Sequence, residues 1–255
     1  LATGVLPILV GKGTSLSKYL VNHDKEYIAT IRLGEKTSTG DQEGEIIEKK
    51  PVTDVMFDAE NVRKVLSEFK GKQNQIPPMY SAIKVNGKKL YEYARSGKKV
   101  EIEPREIEIF DIDLISISKD MKEIVYKVWC SKGTYIRSLC EDIAERLGTV
   151  GFMSGLNRTR VGDFRIEQAV RISDVVGDDG FVNRDIIKSK FISIEEFFKD
   201  YKSLNFNDLK IFKFLNGVMI NVNLEDGIYK IYNKDIFIGI GIVKNNRIKR
   251  DIIIV

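Results

Sequence analysis

The amino-acid sequence predicts an α+β fold, in which a mixed and mainly antiparallel sheet is flanked by helices. Apolar and polar residues alternate over residues 124–131, which is the pattern of a strand. Over residues 136–147 apolar residues instead recur at helical spacing. After about residue 205, short Ile- and Val-rich segments are separated by Asp, Gly and Asn turns. The sequence therefore predicts one domain over residues 1–200 and a small all-β domain over residues 205–255.

The remaining elements of the first domain follow from local patterns of apolar residues, caps and turns. Pro77 and Pro78 force extended backbone, and Asn86 and Gly87 are typical of a tight turn. In chain order the predicted elements are a helix over 14–20, a strand over 27–33, a helix over 59–69 capped by Asp58, a strand over 80–85, a helix over 88–96, a hairpin of 105–117 with 123–131, the helix over 136–147 and a strand near 158–166.

Positive charge is concentrated in one window rather than spread over the chain. The net charge of +4 by itself says little about nucleic acid. Residues 84–99, however, hold six basic side chains and one acidic side chain, an excess larger than that of the whole sequence. Tyr91 and Tyr93 lie among them, as a surface that binds phosphate and stacks on bases requires. The alternative explanation is a solvated lysine-rich helix face.

Several functional classes are excluded by composition. Two cysteines, Cys130 and Cys140, are too few for a disulfide framework and are expected to be reduced core residues. His23 is the only histidine and no Cys/His cluster has metal-ligand spacing, so no metal site is predicted. No apolar run approaches the roughly 20 residues that span a bilayer, and no segment of the sequence has a signal-peptide pattern. We therefore expect a cytoplasmic protein with no membrane contact.

The strand and helix around residue 133 meet in a cationic turn, Lys132-Gly133-Thr134-Tyr135-Ile136-Arg137. Backbone N–H groups at a helix start favour an anion, and Lys132 adds positive charge there. Gly133 permits a tight turn, and the planar guanidinium of Arg137 suits a carboxylate or a phosphate. An ordinary surface ion pair and a solvated loop lysine remain the alternative for these two side chains.

Four blocks of sequence together carry a resemblance to a known family. They are LATGVLPILVGKGTSLSKYL at 1–20, YIATIRLG at 27–34 followed by TSTGD at 37–41, IPPMYSAIKVNGKKLYEYAR at 76–95, and SKGTYIRSL at 131–139. In wording and order they resemble the TruB-type tRNA pseudouridine synthases, over most of residues 1–164. The resemblance implies an isomerase that flips a T-loop uridine, at position 55 of tRNA, out of the stack and converts it to pseudouridine. It also implies a PUA-like C-terminal domain, the T-arm of tRNA as partner, no obligate protein partner, and a monomer.

Site residues are carried over from the family onto matching positions. The resemblance implies that Tyr27 stacks on the target base and takes part in removing the C5 proton. Arg137 matches the arginine that pairs with the catalytic aspartate, and Tyr135 and Leu156 match positions that line the uracil pocket. Further substrate-binding residues are expected among the cations of these blocks, namely Lys132, Lys84, Lys88, Lys89 and Arg95.

The family's catalytic aspartate stands in a GTLDP-type motif directly before the LATGVLP-type segment, and that motif would precede Leu1. Asp24, Asp41 and Asp142 lie in other blocks and do not match it. We therefore expect residues 1–255 alone to bind RNA without turnover. Two other hypotheses stay open: a tRNA-binding or tRNA-folding module without catalysis, and a guide-RNA-dependent relative that needs partner proteins.

Overall fold

The computed structural model describes residues 2–98, 100–177 and 180–255, and they form two compact units. The first unit contains residues 2–7 and 20–169, and the second contains residues 8–19 together with those that follow 169. This division differs from the predicted one, because residues 8–19 and 170–200 group with the C-terminal strands. The physical reason is a shared core: Leu16 and Phe198 are buried in one cluster, which continues with Phe237, Ile240 and Ile252.

The bounds of the helices and strands agree with most of the predicted elements. The predicted strand over 80–85 is limited to residues 84–85, and the predicted strand near 158–166 instead runs from residue 151 to 161. Helices α5 to α8 were not predicted. The helices are α1 (Ser17–Leu20), α2 (Ala59–Ser67), α3 (Leu90–Arg95), α4 (Ile136–Arg146), α5 (Ile172–Val175), α6 (Arg184–Lys190), α7 (Ile194–Phe197) and α8 (Asp208–Leu215), with short 3₁₀ helices at Gly11–Leu16, Asp54–Phe57 and Ile166–Gln168. The strands are β1 (Ala2–Gly4), β2 (Lys25–Leu33), β3 (Glu35–Thr37), β4 (Ile46–Lys49), β5 (Gly71–Gln75), β6 (Lys84–Val85), β7 (Lys88–Lys89), β8 (Arg105–Ser118), β9 (Glu123–Cys130), β10 (Gly151–Val161), β11 (Phe164–Arg165), β12 (Ser203–Asn205), β13 (Ile220–Asn221), β14 (Gly227–Asn233), β15 (Ile236–Lys244) and β16 (Arg247–Ile253).

The first unit is built on one mixed sheet with strand order β1-β10-β2-β9-β8-β5, and β11 pairs with β10. Its described pairs are antiparallel except for β1 with β10, so the predicted fold class is confirmed. One face is apolar, because alternate residues of the central strands, among them Ala29, Ile31, Tyr126 and Val128, are fully buried. Helices α2 and α4 contribute to the same core cluster and so position the residues at their ends.

Helix α4 is held against the sheet by the apolar stripe that its sequence predicts. Ile136, Leu139, Cys140 and Ile143 are all buried at i, i+3, i+4 and i+7 spacing. The Cys140 thiol lies 3.3 Å from the hydroxyl of Tyr126 on β9. Both cysteines are free and buried, as predicted, and burial raises the pKa of each thiol to about 12. The start of α4 therefore has a fixed place relative to the sheet.

The second unit contains a five-stranded sheet in the order β12-β14-β15-β16-β13. Only the β12–β14 pair is parallel among these described strands. Helix α8 buries Ile211 and Phe214 against apolar residues of this sheet such as Ile231 and Ile248. Among the helices that the structure describes, none has the length and apolarity to span a membrane.

Candidate active site

Arg137, the second residue of α4, is held by acceptors from two other segments. Its Nη1 donates to the carbonyl oxygen of Thr39 at 3.1 Å and to Oδ2 of Asp41 at 3.2 Å. Its Nη2 donates to the carbonyl oxygen of Tyr80 at 2.7 Å. The side chain is only 21% exposed, so this guanidinium is not an ordinary surface cation. Three acceptors from these two segments fix its plane, and its five donors leave capacity for a further acceptor.

Asp41, the carboxylate under Arg137, is itself fixed by its own loop. Its Oδ1 accepts hydrogen bonds from the Thr39 hydroxyl at 2.6 Å and from the Glu43 backbone N–H at 3.1 Å. The Thr37 hydroxyl donates to the Asp41 carbonyl oxygen at 2.7 Å. Sequence analysis set Asp41 aside because it lies outside the expected motif. The available signal was the Thr-x-Thr-x-Asp spacing, in which short hydroxyl side chains bond local groups and shape a loop.

Tyr135 occupies the N-cap position of α4, and its backbone is hydrogen-bonded to the buried side-chain amide of Gln75. The Tyr135 N–H donates to Oε1 of Gln75 at 2.8 Å, and Nε2 of Gln75 donates to the Tyr135 carbonyl oxygen at 3.1 Å. Gln75 is 4% exposed, which makes this pair a firm tie between β5 and α4. Lys132, three residues earlier, is exposed and donates from Nζ to Oδ1 of Asn22 at 2.7 Å. Gly133 has a φ of +83°, as the predicted tight turn requires.

Tyr27 and Leu156 lie on neighbouring strands and pack against the same core cluster as Ile136, the residue before Arg137. Tyr27 on β2 is opposite Arg158 on β10, and Leu156 is opposite Ala29. Strand β10 is also joined to the loop of Asp41, because the Met153 N–H donates to the Gly40 carbonyl oxygen at 3.0 Å. The structure thus brings the segments that carry Tyr27, Leu156 and Arg137 onto one face of the sheet.

The predicted RNA-binding cations lie on a small hairpin and the helix that follows it. Strands β6 and β7 pair Lys84 with Lys89, and Lys84, Lys88 and Arg95 are exposed. Lys89 Nζ and the Arg95 guanidinium each lie 5.4 Å from the ring centroid of Tyr91. Lys99, which belongs to the same basic window, lies outside the described residues. We refer to residues 84–95 below as the basic hairpin.

One flank of α4 carries a cleft whose lining holds three acidic side chains and one cation, Arg146. This cleft of about 680 Å³ is lined by Glu141, Asp142 and Glu145 from α4 and by residues 76–78. Burial and the neighbouring Glu141 raise the pKa of the Asp142 carboxyl to about 6. Over the residues that the structure describes, no three His, Cys, Asp or Glu side chains are grouped to hold a metal ion. Negative charge here disfavours a phosphate backbone and distinguishes this flank from the basic hairpin.

Two protein-family models match this chain, and they meet between residues 136 and 137 at the start of α4. Residues 1–136 match the TruB family pseudouridylate synthase N-terminal domain, and residues 137–185 match the tRNA pseudouridylate synthase B C-terminal domain. The chain is 41% identical, over 97% of its length and 84% of the relative, to tRNA pseudouridine synthase B of Caldanaerobacter subterraneus subsp. tengcongensis. It is 42% identical to the protein of the same name from Francisella tularensis subsp. novicida, over 94% of this chain and 78% of that one.

Solved structures share the fold at lower identity. A chain of a Cbf5-Nop10-Gar1 complex superposes with a TM-score of 0.63 at 22% identity, covering 94% of this chain and 66% of the other. An H/ACA RNP bound to a substrate RNA containing 2'-deoxyuridine gives a TM-score of 0.61 at 20% identity, over 94% and 65%. This chain therefore spans about two thirds of those chains, and they bear on the fold alone. The sheet, the helix start and these matches define a pseudouridine synthase, which is an isomerase. The chain belongs to the TruB family of pseudouridylate synthases.

Proposed function

We propose that this protein converts the uridine at position 55 in the T-loop of tRNA to pseudouridine. The reaction breaks the N-glycosidic bond, turns the uracil over and forms a carbon–carbon bond at C5, so the base must first leave the stack. The observation that carries the proposal is the partly buried Arg137, fixed by Thr39, Asp41 and Tyr80 at the start of α4. Tyr27 and Leu156 lie on the face of the sheet that α4 packs against.

The nucleophilic carboxylate in this proposal is an aspartate directly before Leu1. β1 runs parallel to β10, with Ala2 beside Leu156, so a residue just upstream of β1 enters at the edge of the proposed uracil pocket. Arg137 has donor capacity left to orient that carboxylate and to keep it ionised. Tyr27 stacks on the flipped base and accepts the C5 proton, while Tyr135 and Leu156 exclude water. Residues 1–255 alone then bind tRNA without isomerising it.

RNA recognition in this proposal begins at the basic hairpin and at Lys132. Exposed cations beside Tyr91 offer both phosphate neutralisation and a stacking surface. The T-arm of tRNA is the proposed partner, and the choice of tRNA is supported by the similarity to proteins called tRNA pseudouridine synthase B. We also propose that the C-terminal unit is a PUA-like RNA-binding domain, and that the protein acts in the cytoplasm as a monomer without metal or cofactor.

Tritium release from tRNA labelled at C5 of uridine tests the proposal. We expect the full-length protein to release tritium from a tRNA transcript and to release none when the T-loop uridine at position 55 is replaced by cytidine. A protein that begins at Leu1 should bind both transcripts and release no tritium. Full-length protein that carries the upstream aspartate and still releases none contradicts the enzyme proposal. Retained tRNA binding in that case identifies a binding or folding module.

A further inference from the structure

Arg158, which sequence analysis did not single out, contacts the amino-terminal segment through both its backbone and its side chain. The Val5 N–H donates to the Arg158 carbonyl oxygen at 2.8 Å, and Arg158 Nε donates to the Val5 carbonyl oxygen, also at 2.8 Å. Gly4 stands beside Arg158 in the β1–β10 pair and has a φ of +107°. A Cβ atom there would lie 2.1 Å from the Arg158 carbonyl oxygen, so only glycine permits this approach. The position at which the amino-terminal segment joins the sheet is therefore fixed by its contacts with Arg158.

The same arginine stands across from Tyr27. Arg158 and Tyr27 are directly opposite in the antiparallel pairing of β10 with β2, so their side chains share one face of the sheet. Burial raises the pKa of the Tyr27 phenol, while the charge of the Arg158 guanidinium and a hydrogen bond from it act in the opposite direction. Arg158 thus joins two parts of the proposed site, the phenol and the segment before β2.

Other titratable groups around Tyr27 do not supply this charge. Cys130 on β9 faces the phenol, but burial raises its pKa to about 12, so it is a neutral thiol at working pH. Lys25 lies two residues before Tyr27 on β2, and its Nζ donates to the carbonyl oxygens of Val21 and His23. Burial lowers the Lys25 pKa, and Arg158 acts in the same direction. Among the described residues, Arg158 is the cation whose hydrogen bond and charge lower the pKa of the Tyr27 hydroxyl.

We propose that Arg158 is a positioning residue for the isomerisation. Its guanidinium holds the amino-terminal segment at Val5 and the phenol of Tyr27 in one fixed arrangement, and its charge favours the phenolate that accepts the C5 proton. This inference rests on the proposed function, in which Tyr27 takes that proton. General-base catalysis of this kind contributes about 10²–10⁴-fold to a rate, so a residue that tunes the base has a large effect.

The test replaces Arg158 in the full-length protein with Gln and with Lys, and measures single-turnover rates on saturating tRNA between pH 6 and pH 10. Loss of the cation leaves burial unopposed, so we expect the Tyr27 pKa to rise by about one unit or more. Because burial already raises that pKa above the ordinary phenol value of about 10, the rate of Arg158→Gln falls by a similar factor across the tested pH range. At neutral pH the rate falls about 10-fold or more, and tRNA affinity changes little. Arg158→Lys keeps the charge but loses the Nε–H that donates to Val5, so its rate falls while the titration of Tyr27 stays in place.

Arg160→Gln is the matched control, because it removes the same charge two residues further along β10. Arg160 instead donates to Asp24 Oδ2 at 2.9 Å and lies 4.6 Å from the centroid of Trp129, without a described contact to Tyr27. We expect its rate profile to coincide with that of the parent protein. A loss of rate in Arg158→Gln with an unshifted titration of the Tyr27 phenol overturns the inference and leaves Arg158 a structural residue. An equal shift in Arg160→Gln overturns it as well, since the effect is then general electrostatics.

A second measurement separates this inference from the proposed function. Carbon-13 NMR of labelled tyrosine rings, with Tyr27 assigned by its loss in Tyr27→Phe, follows the titration of that phenol without substrate. A parent protein that isomerises no uridine contradicts the proposed function, whereas an unshifted Tyr27 titration in Arg158→Gln contradicts this inference alone. If Arg158→Gln does not fold, Arg158→Lys decides: a parental rate removes the contact to Val5 from the mechanism.

Discussion

Two cationic regions of the first unit differ in how their charge is held. Arg137 is mostly buried and donates to three oxygen atoms, one of them the carboxylate of Asp41. In the basic hairpin, Lys84, Lys88 and Arg95 are exposed, and no described carboxylate forms an ion pair with them. A fixed buried guanidinium orients one partner in one geometry, whereas exposed cations attract any phosphate within a screening length. The first region is suited to chemistry and the second to RNA capture.

The two regions are also linked through two consecutive residues, Tyr80 and Ser81. The Tyr80 carbonyl oxygen accepts from Arg137, and the carbonyl oxygen of the next residue, Ser81, accepts from the Tyr91 N–H at 3.1 Å. RNA that displaces the basic hairpin therefore acts on the segment that helps to hold Arg137. This proximity makes it necessary to separate effects on turnover from effects on binding in each experiment.

The largest effect is expected from Arg137→Ala in the full-length protein. In the proposed function the guanidinium orients the catalytic carboxylate, and a displacement of about 1 Å can cost about 10²-fold in rate. We expect the single-turnover rate of tritium release to fall by at least about 10²-fold, while tRNA affinity falls by less than about 3-fold. A filter-binding assay beside the tritium assay separates the two quantities.

Arg146→Ala is the control for that variant. Arg146 lies at the other end of α4, where it is exposed and pairs with Glu68. An exposed ion pair contributes about 0–1 kcal/mol, so the rate should stay within about 2-fold of the parent value. A near-normal turnover rate in Arg137→Ala would show that the guanidinium has no part in catalysis. The Arg137 region and the basic hairpin would then not differ in their effect on turnover.

Asp41→Asn should have an intermediate effect. The amide keeps the shape of the carboxylate, and its oxygen still accepts from Thr39 and Glu43, but the charge beside Arg137 is lost. Hydrogen bonds to charged groups contribute about 1.5–3 kcal/mol, so we expect unfolding to need about 1–2 kcal/mol less and the rate to fall about 10-fold. Urea unfolding and single-turnover assays measure the two quantities.

Glu45→Gln, an exposed acid of the same loop, is the control for Asp41→Asn. It should change neither the stability nor the rate. An Asp41→Asn protein with the parental rate shows that Arg137 keeps its place through the carbonyl oxygens of Thr39 and Tyr80 alone.

Much of the fold was predictable because its signals are local. The alternation in β9, the apolar stripe of α4 and the cap at Asp58 each depend on neighbours within about one turn or one strand pair. The grouping of residues 8–19 with the C-terminal unit was not predictable in this way. It depends on Leu16 meeting Phe198 and Phe237, residues far apart in sequence.

The residues of the candidate site also divide into those with a local sequence signal and those that depend on long-range contacts. Its residues in Lys-Gly-Thr-Tyr-Ile-Arg and Tyr-Ile-Ala-Thr-Ile-Arg-Leu-Gly were found through a family resemblance, and their catalytic roles stay predictions. The roles of Asp41 and Arg158 were not predicted because they depend on contacts between distant parts of the sequence. Asp41 forms an ion pair with Arg137, and Arg158 is opposite Tyr27 on the adjacent strand. Placing Arg158 beside Tyr27 requires both the pairing of β2 with β10 and its register, which contains two irregularities.

The smallest effect on rate, and the sharpest test of the comparison, is expected from neutralising the basic hairpin. In a protein with Lys84, Lys88, Lys89 and Arg95 all changed to Gln, each lost phosphate contact removes about 0.7–0.9 from the slope of log affinity against log salt. We therefore expect a slope less steep by about 3, weaker binding, and a rate at saturating tRNA within about 3-fold of the parent value. Changing the same number of exposed lysines at positions 49, 50, 64 and 119 serves as the control and should leave the slope unchanged. An equal flattening in both proteins assigns the effect to net charge, and a collapse of the saturated rate in the hairpin variant means that these cations also hold Arg137 in place.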